Sequence, residues 1–164
     1  RFHKCALTFG ADHIVRATSE NPLMYIENLA GLIEQHIEKG SDFSYTDKLP
    51  LGCFVEVISR TALQKSCKFG ENKHHSELVT LFINENKDQF IIHRVEAQIP
   101  LQRMNYRLTV DTELDLKLMR LIYQHFENGE EYIPLQDAVT FLDQNPELVE
   151  INSSIPVGEA RVWK

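Results

Sequence analysis

The chain lacks most of the features that mark specialised protein classes. It has three cysteines, Cys5, Cys53 and Cys67, at irregular spacing. An odd, scattered set excludes a disulfide framework, and without a Cys-x-x-Cys pair it excludes a zinc knuckle or dithiol redox centre. Free thiols lead to the expectation of a reducing, cytoplasmic setting. Apolar runs are too short to span a bilayer, and the opening residues show no secretory signal pattern. Basic residues are in deficit, 17 Lys+Arg against 24 Asp+Glu, for a formal net charge of −7. That excludes broad nucleic-acid binding, which needs a basic footprint, but leaves room for an anionic small ligand held by local donors. Walker-type and Gly-x-Gly-x-x-Gly phosphate loops are missing, and so is a Gly-x-Ser-x-Gly elbow. None of the seven histidines falls in a His-x-x-x-His or His-Glu-x-x-His spacing. The adjacent His74 and His75 point to different faces of a helix, so they read as a polar helix entry.

What is present is ordinary globular material: 164 residues, 43% hydrophobic and 25% charged. One domain of this size holds a core without staples. Arg1 to Gly10 reads as the last turns of a helix stopped by Gly10, as though the chain entered a domain midway. Asp12 to Thr18 predicts a strand. Tyr25 to Lys39 predicts a helix with Ile26, Leu29, Ala30, Ile33 and Ile37 on one face. Strands follow at Asp42 to Thr46 and Phe54 to Ile58. Ser59 is placed to cap a helix over Thr61 to Lys68, and another helix is expected over Ser76 to Asn86. Phe90 to Val95 and Arg107 to Val110 read as strands, Thr112 to Glu127 as the strongest helix, with Leu114, Leu118, Leu121, Ile122 and Phe126 as its apolar stripe. Leu135 to Leu142 reads as a last helix before Pro146, with an extended tail beyond.

Alternating strands and helices predict an α/β fold with a mainly parallel sheet. The expected body is residues 1–128, with residues 129–164 as a helix and tail packed on it. Ligands in such folds sit beyond the carboxyl ends of strands. Two loops qualify, Thr18 to Pro22 and Asp111-Thr112. A carboxylate at Asp111 suits a hard cation such as Mg²⁺, completed by water and substrate phosphates. Alternatively, Thr112 caps the helix with Asp115 at N3, and Asp111 only faces the helix dipole. Glu20 is either a second ligand or a solvated turn residue. Glu56 is either a ligand for substrate hydroxyls or an outward polar-face residue. No catalytic side chain is identified.

The run Gly10 to Thr18, then Asn21-Pro22-Leu23, Pro50-Leu51-Gly52 with Val55-Glu56-Val57, and Arg107-Leu108-Thr109-Val110-Asp111-Thr112 with Asp115-Leu116 and Ile122-Tyr123, resembles one family. It is the spore coat polysaccharide biosynthesis protein F type of cytidylyltransferase, related to the acylneuraminate and 3-deoxy-manno-octulosonate enzymes. The resemblance runs in order from Arg1 to about Asn152. It implies a Rossmann-like nucleotide-diphospho-sugar transferase fold and Mg²⁺-dependent transfer of CMP from CTP to a sugar hydroxyl. It implies metal binding by Asp111 and Glu20, and substrate binding by Arg16, Asn21, Glu56 and Arg107. It also implies a homodimer contact between Asp88 and Arg103.

The sequence departs from that pattern in three places. Ser19-Glu20-Asn21-Pro22 stands where relatives have Gly-Asp-x-Pro. Glu77-Leu78-Val79-Thr80 stands for Glu-His-Val-Thr. Nothing matches the Ala-Arg-x-Gly-Ser-x-Arg-Leu-Pro-Gly-Lys loop that grips CTP in relatives. The expectation is therefore an enzyme fragment carrying the metal and acceptor side of the site. The alternatives are a non-catalytic sugar- or partner-binding remnant, or a glycosyltransferase using a nucleotide-sugar donor.

Overall fold

The computed structural model describes residues 1–74, 78–126 and 132–156. Helix α1 (Phe2–Phe9) stops at Gly10, whose left-handed φ of 63° lets its N–H return to the helix carbonyls. Strand β1 (His13–Arg16) follows, then α2 (Leu29–Glu38), β2 (Phe43–Asp47) and β3 (Glu56–Ser59). Helix α3 (Arg60–Phe69) begins where the Ser59 hydroxyl accepts the Ala62 N–H, the expected cap. After it come α4 (Leu81–Glu85), β4 (Ile92–Glu96), α5 (Glu113–His125), α6 (Leu135–Gln144) and α7 (Pro146–Val149).

The α/β class is as expected, but the sheet is mixed rather than mainly parallel. Its order is β1-β3-β2-β4. β3 runs antiparallel to both neighbours, and only β2 and β4 are parallel. The short Leu49 to Val55 connection returns the chain beside β2, which suits an antiparallel neighbour. Because β3 is reversed, its first residue lies beside the last residue of β1 and the middle residue of β2. Arg16, Glu56 and Tyr45 thus form one row across the sheet.

Each sheet face is covered. Ile14, Phe43 and Ile58 meet Ala62 and Leu63 of α3 and Phe82 and Ile83 of α4. On the other face α2 inserts Leu32 and His36, with His36 bonded to Ser44 of β2. The buried stripe of α2 is therefore not the expected one: Ile26 and Ile37 are exposed. The helix also starts later than predicted, at Leu29, and the preceding Tyr25 N–H donates to the Cys53 carbonyl. A second core joins Leu118, Met119 and Ile122 of α5 to Leu135, Val139 and Leu142 of α6. Leu114, expected in this stripe, is exposed.

Three further expectations change. Residues 107–110 form no sheet strand; Arg107 makes one bridge to Leu51, while Leu108 bonds Leu51 and Val110 bonds Glu20. The helix predicted from Ser76 is confined to Leu81–Glu85 in the described residues, since Leu78 to Thr80 form a turn; residues 75–77 lie outside them. The extended tail is instead helical at Pro146–Val149 and turns through Ile155. The border expected at residues 128–129, and the tail from 157 with Trp163, fall outside the described residues. Among the described residues no helix is long and apolar enough to cross a membrane.

Candidate functional site

At the end of the sheet where β1, β2 and β4 finish and β3 begins, a cleft of about 1140 Å³ opens. Arg16, Glu20, Asn21, Glu56, Arg107 and Asp111 all line it. These are the six positions singled out in the sequence, and they come from three separated stretches of chain.

The two loops that carry carboxylates are joined through backbone. The Val110 N–H donates to the Glu20 carbonyl at 2.8 Å. That contact places Glu20 beside the segment ending in Asp111. Glu20 is exposed, and the Asp111 side chain is about half exposed, at 51%. The neighbouring Asn21 is buried; its side-chain amide donates to the Thr18 hydroxyl at 2.6 Å. Its amide oxygen, the lining polar atom left over, takes no hydrogen bond among the described residues and is available to a ligand hydroxyl.

Glu56 is buried, contrary to its reading as an outward polar-face residue, because β3 is central and covered on both faces. Its carboxylate is compensated rather than solvated. Arg16 donates to it at 2.6 Å and the Thr80 hydroxyl at 3.1 Å. A buried charge needs such partners. Thr80 lines the same cleft; the family-like stretch Glu77 to Thr80 marks its position, but nothing local ties it to a residue 24 positions away.

Arg107, also lining the cleft, is engaged by two carboxylates. Its Nη2 reaches Asp111 at 2.7 Å, and its Nε reaches Asp115 at 2.9 Å. Asp115 is the N3 residue of a complete capping box with Thr112, as the spacing suggested. It is also 1% exposed and bonded by Arg107, by the Asp111 and Thr112 N–H groups and by Asn152. Burial alone would raise its pKa, but the hydrogen bonds from Arg107 and Asn152 more than offset this and hold it below the usual carboxylate value. The same contacts raise the Arg107 pKa: the Asp115 hydrogen bond outweighs burial. Asn152 is 2% exposed, so the sequon Asn152-Ser153-Ser154 is closed to modification in the folded chain.

Among the described residues no three His, Cys, Asp or Glu side chains gather to hold a metal alone. Asp111 and Glu20 supply hard oxygen donors on adjoining loops. Two such donors fit Mg²⁺, which takes one or two carboxylates and fills its remaining positions with water and substrate phosphates. Leu78 and Leu81 give one wall of the cleft an apolar surface, suited to the carbon face of a ring.

A family model described as cytidylyltransferase matches residues 1–145. The chain is 34% identical over 155 residues to an uncharacterized protein of Methanocaldococcus jannaschii, covering 94% of this chain and 63% of that one. It is 28% identical over 148 residues to the spore coat polysaccharide biosynthesis protein SpsF of Bacillus subtilis, covering 90% of this chain and 61% of that one. The chain thus spans somewhat under two thirds of these curated relatives. A cytidylyltransferase from Leptospira borgpetersenii superposes with a TM-score of 0.81 at 18% identity, covering 96% of this chain and 66% of that one. This last likeness concerns the fold.

Proposed function

Since the chain belongs to the cytidylyltransferase family, we propose that it contributes the metal and acceptor side of a site that transfers CMP from CTP to a sugar hydroxyl. The sugar oxygen bonds to the α-phosphorus, the bond to the bridging oxygen breaks, and pyrophosphate leaves. One observation supports this best: all six candidate residues, from three stretches of chain, line a single cleft by the carboxyl ends of β1 and β2 and the amino end of β3.

Asp111 and Glu20 are the residues that would hold Mg²⁺. The ion, when bound, neutralises phosphate charge during transfer. The chain's own groups do the positioning. Glu56 and Arg16, locked together, present a carboxylate and a guanidinium to sugar hydroxyls. Asn21 offers its amide oxygen. Arg107 acts indirectly, by fixing Asp111. Positioning of this kind accounts for much of the rate in phosphoryl-type transfers. The segment Asp88 to Arg103, where Ile91 and Ile99 are exposed and β4 ends the described sheet, is our candidate for contact between two copies.

The test is pyrophosphate release from CTP and Mg²⁺ over a panel of sugars, by the protein encoded in the whole reading frame. The expected result is sugar-dependent release, reduced about a hundredfold or more by Asp111→Asn. The 164-residue chain alone is expected to release none. A requirement for a nucleotide-sugar donor in place of CTP overturns the reading in favour of glycosyl transfer.

A further inference from the structure

Asn152 lies 41 positions beyond Asp111 in the chain, in the turns after α7, yet its side chain ends beneath the candidate site. One amide group makes two bonds there. Nδ2 donates to the Arg107 carbonyl at 3.0 Å and to Asp115 Oδ1 at 2.8 Å. Asp115 in turn holds both ends of the turn that presents Asp111. It binds the Arg107 guanidinium through Nε at 2.9 Å and the Asp111 N–H at 3.1 Å. Arg107 then reaches the Asp111 carboxylate at 2.7 Å. The links form a continuous series, Asn152 to Asp115 to Arg107 to Asp111, and its first three members are buried.

The chemistry of this position is narrow. Asp115 carries a charge at 1% exposure, so each lost donor leaves a buried oxygen uncompensated. Leu or Ala at 152 removes both donors. Asp at 152 replaces them with a second carboxylate against Asp115. Only a side-chain amide of this length satisfies the Arg107 carbonyl and Asp115 together. The same segment continues into Ile155 and Pro156, which line the cleft.

We propose that Asn152 is a positioning residue for the candidate metal site, setting the Asp115–Arg107 pair that orients Asp111. The proposal rests on the reading of Asp111 as a metal ligand. Partners of ligands that never touch the ion commonly change metal affinity by about 10–100-fold when removed.

The test uses Mn²⁺ as the probe, titrated into the chain and followed by the electron paramagnetic resonance signal of the free ion. Variants are Asn152→Ala, Asn152→Asp and Asn152→Ser, with Asp111→Asn as reference. Circular dichroism and melting curves establish that each is folded at the working temperature. The expected result is a Kd raised about tenfold or more in Asn152→Ala, more in Asn152→Asp, and by an intermediate factor in Asn152→Ser, which keeps one donor. A purely structural role lowers the melting temperature and leaves the Kd of the folded protein unchanged; that outcome overturns the proposal. If Asn152→Ala does not fold, an Asn152→Ser variant as tight as the wild type overturns it equally. Wild type and Asp111→Asn binding Mn²⁺ alike, or neither binding it, overturns the metal reading and the proposal with it.

Discussion

Arg16, the last residue of β1, and Glu56, the first of β3, are direct cross-strand partners and close an ion pair of 2.6 Å at the mouth of the cleft. Their side chains are only 15% and 9% exposed, so neither charge is well solvated without the other. Removing one partner takes from the other its short charged contact. Arg16→Met and Glu56→Gln are each expected to cost about 3 kcal/mol. The double variant is expected to cost clearly less than the sum. Urea unfolding of the four proteins checks this as a double-mutant cycle; additive losses count against the coupling.

Gly52 tests the crossing of two loops under the site. It sits at φ +92°, and a Cβ there would lie 2.6 Å from the Thr109 nitrogen and 2.8 Å from the Leu108 carbonyl carbon. Those neighbours are backbone and cannot swing aside. Gly10 has a similar positive φ but nothing within 4 Å. Gly10→Ala is therefore expected to cost roughly 1–2 kcal/mol from backbone strain alone, and Gly52→Ala several times more. Equal losses in chemical denaturation contradict the close approach.

His36 predicts an acid-side loss of stability. It is 0% exposed, its Nδ1 meets the Ser44 hydroxyl, and its Nε2 has no partner. Burial, assisted by His13 and His93 and opposed by Asp42, pushes its pKa from 6.5 down to about 4. The folded state thus resists a proton that the unfolded chain accepts. The stabilisation is complete above pH 6.5 and lost as pH falls to about 4. It amounts to about 3 kcal/mol. His93, lowered by burial and by Lys39, adds a slope of the same sign. Unfolding midpoints measured across that window should drop for the wild type and flatten in His36→Gln.

Thiol chemistry separates the cysteines. Cys5 and Cys67 are exposed, while Cys53 is buried and its pKa is pushed up by burial and by Glu27. A chromogenic disulfide reagent should titrate two thiols quickly in the native protein and the third only on unfolding. Fast reaction of all three contradicts the placement of Cys53.

Much of this was legible from residue patterns, because the signals were local. The Ser59 cap, the Thr112–Asp115 box and the Gly10 stop are each decided by three or four neighbouring residues. The misreadings share another origin. Residues 107–110 alternate like a strand, but their partners are Leu51 and Glu20, and no periodicity shows which segment lies opposite. α2 buries His36 in place of the expected Ile37 because Ser44 of β2 supplies the imidazole with a partner. Positions of the six candidate residues were recognisable; their pairings were not. That Arg107 is clamped by Asp115 depends on a turn bringing residues eight apart together.

The Asn152 contact also has a consequence in time. A chain made from its N-terminus can pair the four described strands, and can form α5 with its cap, before residue 152 exists. Until then the pocket under Asp111 has an acid but not its last amide. The described strands can therefore pair well before the Asn152 amide closes on Asp115.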